Sequence, residues 1–185
     1  MRTSECRIGI LRWRRRSSKS SMKSAIDGSW RNNAANVRVG EAVELTAALH
    51  HLSVVRQAVL ITLKRDGRPQ SSNIVAAVGS DGIVRISITA DRAKYRNLQR
   101  DSRASLHVNR EDFWAYVVIE GVVELSPVAS DPGDATVDEL VELYRSLSGE
   151  HADWSEYRAA MVHDRRLLVR LHPERAYGMW PGGAN

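Results

Sequence analysis

Five residues between positions 87 and 96 carry chemistry that needs no fold to be read. Ser87 and Thr89 offer hydroxyls, and Arg92, Lys94 and Arg96 follow as three cations at every second position. The hydroxyls alternate with Ile86 and Ile88, the two-residue period of a strand with one apolar and one polar face. Thr89 or Asp91 can cap a short helix that begins after the strand. Lys and Arg in a first helical turn oppose the helix dipole, so their charge there calls for an anion. Backbone N–H groups, two hydroxyls and cationic heads converging on one spot would make a phosphate cradle. The same charges also fit a helix whose Lys and Arg simply face water.

The elements around this stretch define how it is held. A helical stripe over 41–52 (Val43, Leu45, Ala48, Leu49, Leu52) precedes a β-branched strand over 57–63. Asp66-Gly67 between two strand-like runs is a strong hairpin signal, and Pro69 opens the return strand over 70–78, where a missing N–H is tolerated. A turn at 79–82 leads into the hydroxyl strand. After the basic helix, strands follow over 103–109 and 114–125, helices over 136–147 and 154–162, and a closing strand over 166–171. About six strands in hairpin order, without βαβ alternation, predict a mainly β protein: an antiparallel barrel with peripheral helices.

The chain has 185 residues and a net charge of +5, but the charge is unevenly placed. Residues 1–40 hold ten Lys and Arg against two acids, whereas the rest holds seventeen against twenty. The predicted organisation is therefore a basic, disordered N-terminal extension over 1–40 and a folded domain over 41–185. A mildly acidic body gives nucleic acid no second contact surface, which argues against a DNA-binding role. No run reaches the ~18 apolar residues of a membrane span, and the basic N-terminus lacks the apolar stretch of a signal peptide, so a cytoplasmic protein is expected. Cys6 is the only cysteine, so no intramolecular disulfide is possible. His50, His51, His107, His151, His163 and His172 show no metal-ligand spacing. Dinucleotide-binding, P-loop and nucleophile-elbow motifs are absent. An anion-binding barrel without acid–base machinery suggests that a cofactor carries the chemistry.

The runs 66–73 (Asp-Gly-Arg-Pro-Gln-Ser-Ser-Asn), 92–98 (Arg-Ala-Lys-Tyr-Arg-Asn-Leu) and 101–105 resemble the pyridoxamine-phosphate-oxidase-like split-barrel flavoproteins. The likeness is strongest to their F420-dependent branch, and it continues through Phe113-Trp114-Ala115-Tyr116, Glu120-Gly121, Leu143-Tyr144-Arg145, 149–154 and Tyr177-Gly178. It covers roughly residues 44–183. The resemblance implies a six-stranded antiparallel split β-barrel (the FMN-binding split barrel) that forms a homodimer with its cofactor at the interface. It implies Arg92, Lys94 and Arg96 as phosphate ligands with Ser87 and Thr89 beside them. Pro69, Gln70, Ser72 and Asn73 would border the ring, and Trp114 would come from the partner chain. No catalytic side chain and no metal is implied.

The activity so implied is hydride transfer between reduced deazaflavin F420 and a small unsaturated organic acceptor. Two alternatives share the cradle: an FMN-dependent oxidase acting on a pyridoxamine-phosphate-like amine, and a non-catalytic flavin or deazaflavin carrier.

Overall fold

The run from Pro69 to Val78 decides the shape of the barrel. In the computed structural model, which describes residues 41–180, this run is two strands parted by one residue, β3 (Pro69–Val75) and β4 (Ala77–Val78). β3 pairs with β2 (Gln57–Leu63), while β4 pairs with β5 (Val84–Thr89). The remaining strands are β1 (Glu41–Val43), β6 (Arg103–Asn109), β7 (Tyr116–Leu125) and β8 (Arg166–Met179). The sheet order is β3-β2-β6-β7-β8-β5-β4, with β1 also on β8, and every pairing is antiparallel. Consecutive strands thus hold opposite ends of the sheet. The sheet must curl into a barrel to bring those ends within the span of Ala76.

In β5 the side chains follow the alternation read from the sequence, with Val84, Ile86 and Ile88 inside the barrel. Leu60, Leu106, Val108, Val117, Ile119, Val84, Ile86, Leu167, Val169 and Leu171 are fully buried in one core. Helix α1 (Leu45–Val55) adds Ala48 and Leu52 and touches five strands, stoppering the barrel. On the outer face of β5 and β8, helices α3 (Ala135–Ser148) and α4 (Trp154–His163) enclose a second cluster of Val137, Leu140, Leu143, Met161 and Leu168. Each begins at an aspartate cap: Asp134 accepts from Val137 N–H at 2.8 Å, and Asp153 accepts from Ser155 and Glu156 N–H at 2.8 and 3.0 Å.

The six-stranded split barrel is therefore the observed fold, with strand 70–78 bent into two segments and β1 added, which makes eight segments. Other boundaries move for identifiable reasons. Residues 41–43, expected to be helical, pair with β8, and the helix starts at Leu45. The closing strand does not stop at residue 171. A register shift opposite Glu120 and Gly121 lets β8 run on past Pro173 to Met179, because the irregularity falls where proline cannot donate to the ladder. The expected extension over 1–40 lies outside the described residues.

Candidate functional site

Between β3 and β5 the barrel is open. The Ala76 corner joins these strands at one end, beside the N-terminus of β5, which leaves Pro69 and Thr89 at their other ends. The edge of β3 that faces away from β2 makes no ladder among the described residues, leaving its backbone groups without a partner strand. Helix α2 (Ala93–Arg100) leaves the end of β5 and crosses the mouth of this gap. Leu98 and Tyr95 anchor it in the barrel core.

The N-terminus of α2 has no side-chain cap and no acid in its first turn; Arg92 is the N-cap residue. The expected capping by Thr89 or Asp91 does not occur, because those two side chains bond each other instead. Arg92 Nε donates to Thr89 Oγ1 at 3.3 Å, and Arg96 Nη1 donates to the Asp91 carbonyl at 3.1 Å. Asp91 also lies 3.6 Å from Arg92. The Thr89 hydroxyl bond, followed by the charges of Arg92 and Arg96, holds the Asp91 carboxyl below its ordinary range. Half-buried Lys94 is pushed below the ordinary lysine range by burial and then by the neighbouring charge of Arg92. Cations that repel one another around uncapped N–H groups favour an anion at this point. Phosphate suits that donor set, and it is the group the residues of this site fit.

Ser87 and Thr89 share the outward, half-buried face of β5, as the sequence predicts. On β3 the pleat divides the predicted residues. Pro69 and Asn73 lie on the exposed face, whereas Gln70 and Ser72 are half-buried on the side toward α2. The Gln70 amide is wholly engaged within the chain: Oε1 accepts from Asn97 Nδ2 at 3.0 Å, and Nε2 donates to Ser72 Oγ at 3.0 Å. Asn97 Nδ2 also donates to the buried Thr62 Oγ1 at 3.0 Å, and Asn97 Oδ1 accepts from Arg100 at 3.3 Å. This chain of amides and hydroxyls pins the basic helix to the free-edged strand. Asn97 and Thr62 are the members that the sequence reading passed over. A signal existed: Thr62 occupies a core-facing position in the alternation Ala58, Leu60, Thr62, and a buried hydroxyl requires a partner.

Trp114 lies elsewhere. The strand expected to start at 114 starts at Tyr116, because Phe113 adopts φ 71 and Asp112 accepts from Trp114 N–H at 3.0 Å, forming a tight turn. Trp114 is 76% exposed at this tip. Thr62 and Gln70 sit beside the opposite end of β6 from this turn, since Thr62 pairs with Gln70 and with Ala104, five residues along β6 from Asn109. At about 3.4 Å per residue that separation is about 17 Å. One protomer does not bring Trp114 to its own basic helix.

Among the described residues no helix is long and apolar enough to cross a membrane, and no group of three metal-ligating side chains occurs.

A curled antiparallel sheet, split between two strands and bridged at the split by a basic helix, defines the split-barrel class. The chain belongs to the pyridoxamine 5'-phosphate oxidase family, whose model matches residues 46–180. Solved structures of similar fold include an F420 reductase (23% identity, TM-score 0.53, covering 69% of this chain and 93% of that one). A conserved hypothetical protein from Mycobacterium tuberculosis is similar at 21% identity and TM-score 0.58, covering 78% of this chain and 88% of that one. A haem-storage protein from Vibrio cholerae is similar at 14% identity and TM-score 0.54, covering 70% and 90%. At these identities the likeness is one of fold.

Proposed function

We propose that the protein is an oxidoreductase that transfers a hydride between reduced F420 and a small unsaturated organic acceptor. The observation that carries this reading is the uncapped, basic N-terminus of α2 beside the free edge of β3, which pairs a phosphate site with backbone groups that have no partner strand among the described residues. Bound there, a deazaflavin supplies the hydride. Arg92, Lys94, Arg96 and the first N–H groups of α2 hold the phosphate. Ser87 and Thr89 border it, and Pro69 and Asn73 with the β3 backbone flank the ring. Gln70 and Ser72 act from behind, fixing β3 against α2. No general acid is assigned; positioning of donor and acceptor carbons at near-attack distance does the work.

The active form in this proposal is a homodimer, because Trp114 is too far along β6 and β7 to serve its own protomer's site but stands exposed for a second copy. Neither nucleic acid nor membrane is part of it, and the protein works in the cytoplasm. The family match itself favours a second reading, an FMN-dependent oxidase of phosphorylated amines. The haem-storage relative keeps a non-catalytic cofactor carrier as a third. Fluorescence titration of the full chain, prepared from a host lacking F420, separates them. Tight F420 binding with weak FMN binding, followed by turnover with an added acceptor, supports the proposal. Preference for FMN supports the oxidase, and cofactor binding without turnover supports the carrier.

A further inference from the structure

We propose that Arg166 is a fourth cationic ligand of the anion site, reaching it from β8 by way of Ser87. The inference rests on the phosphate-cradle reading above and adds a residue that the basic motif does not contain. Arg166 opens β8, and its Cα is the ladder partner of Thr89, while Ser87 pairs with Leu168. Arg166 therefore extends the hydroxyl face of β5 sideways, on the flank opposite the gap.

The bonding of this arginine is incomplete. Nη1 lies 3.4 Å from Ser87 Oγ and Nη2 lies 3.4 Å from Asp164 Oδ2, both at the limit of hydrogen bonding. Its Nε is buried and has no partner. Asp164 is itself shared with exposed His163 at 3.3 Å. Arg170, four residues along the same strand, shows what a satisfied guanidinium looks like here: Nε bonds Glu139 at 3.0 Å and Nη1 bonds Glu124 at 2.6 Å.

A guanidinium has five donors in a planar fork, and a buried donor without an acceptor is unfavourable. Held this loosely, the Arg166 head can turn about its side-chain torsions to set an Nε–Nη edge against an anion at Ser87 and Thr89. A phosphate presents acceptor oxygens at the spacing of that edge, which a carboxylate on one side and a hydroxyl on the other do not provide together. The head then meets the phosphate opposite Arg92, which already reaches Thr89.

The test compares ligands that differ only in phosphate. Wild-type protein, Arg166→Gln and Arg166→Lys are titrated with FMN against riboflavin, and with F420 against its phosphate-free deazaflavin chromophore. The inference expects Arg166→Gln to weaken FMN or F420 binding about tenfold, the size of one charge-assisted hydrogen bond, and to flatten its salt dependence. Riboflavin and the bare chromophore should bind as before, and Arg166→Lys should recover part of the loss. Unchanged affinity for the phosphorylated ligand overturns the inference, as does an equal loss for both members of a pair. If Arg166→Gln melts early, Arg166→Met gives the same readout with a packed stem and no charged head. Wild-type binding that ignores the phosphate overturns the cradle itself, whereas phosphate-dependent binding that survives Arg166→Gln overturns only the role of Arg166.

Discussion

Lys94 and Arg92 are the residues on which the proposed site most depends, and their present surroundings set what each change should do. Lys94 is half-buried near Arg92, so its charge is uncompensated until an anion arrives. Lys94→Ala or Arg92→Ala should weaken cofactor binding by about 1 to 3 kcal/mol, read by fluorescence titration, the range for one lost charge-assisted hydrogen bond. Unaltered binding in both variants would remove the site. Asn97 is a different case, because it is 6% exposed and its amide is bonded to Thr62, Gln70 and Arg100. Asn97→Leu keeps the volume but strands the buried Thr62 hydroxyl. It should cost about 1 to 3 kcal/mol in urea unfolding. A neutral result would mean that α2 is held by Leu98 and Tyr95 alone.

At the scale of elements, one contact joins the two peripheral helices and another fixes the two longest strands against each other. Tyr157 of α4 donates to the Leu140 carbonyl of α3 at 3.1 Å, and burial raises its pKa from 10.0 to about 12. Between pH 10 and about 12 the unfolded chain has lost this proton and the folded chain has kept it, so stability falls as pH rises through that window. Tyr157→Phe should flatten the decline of melting temperature across the same window, and an identical decline would place the titration on another group. Gly121 faces β8 at the register shift, where an added Cβ would lie 2.1 Å from the His172 carbonyl oxygen. Backbone cannot retreat there without breaking the β7–β8 ladder. Gly121→Ala should therefore destabilise the barrel by about 3 kcal/mol or more, measurable by thermal unfolding. A change below about 1 kcal/mol would show that the bulge adapts.

For the whole molecule, the separation of Trp114 from α2 makes assembly part of the functional argument. If a second copy completes the site, sedimentation should give a dimer, and Trp114→Ala should weaken cofactor binding despite the about 17 Å within one protomer. A monomer that binds cofactor as tightly with Trp114→Ala as without the change would exclude the shared site.

The sequence by itself determined most of the elements and the run of basic residues at the start of α2. Alternation in 84–89 reappears as strict alternation of buried and half-buried residues, because a pleated strand with one face in a core leaves no other pattern. Asp66-Gly67 marked its hairpin, with Gly67 at φ 81, since a turn there needs a residue free to adopt positive φ. The placement of Arg92, Lys94 and Arg96 at a helix start was legible for the same local reason. What tertiary structure decided is everything that joins distant segments. The bend at Ala76 follows from β3 and β4 pairing with opposite ends of one sheet, which no local signal announces. Asn97 meets Thr62 and Gln70 only because α2 crosses the mouth of the split. Trp114 left its expected strand because Asp112 and Phe113 close a turn, and Arg166 came beside Ser87 through a ladder between strands 79 residues apart. Local pattern fixes which residues form strands and helices, whereas long-range pairing decides which of their side chains share a site.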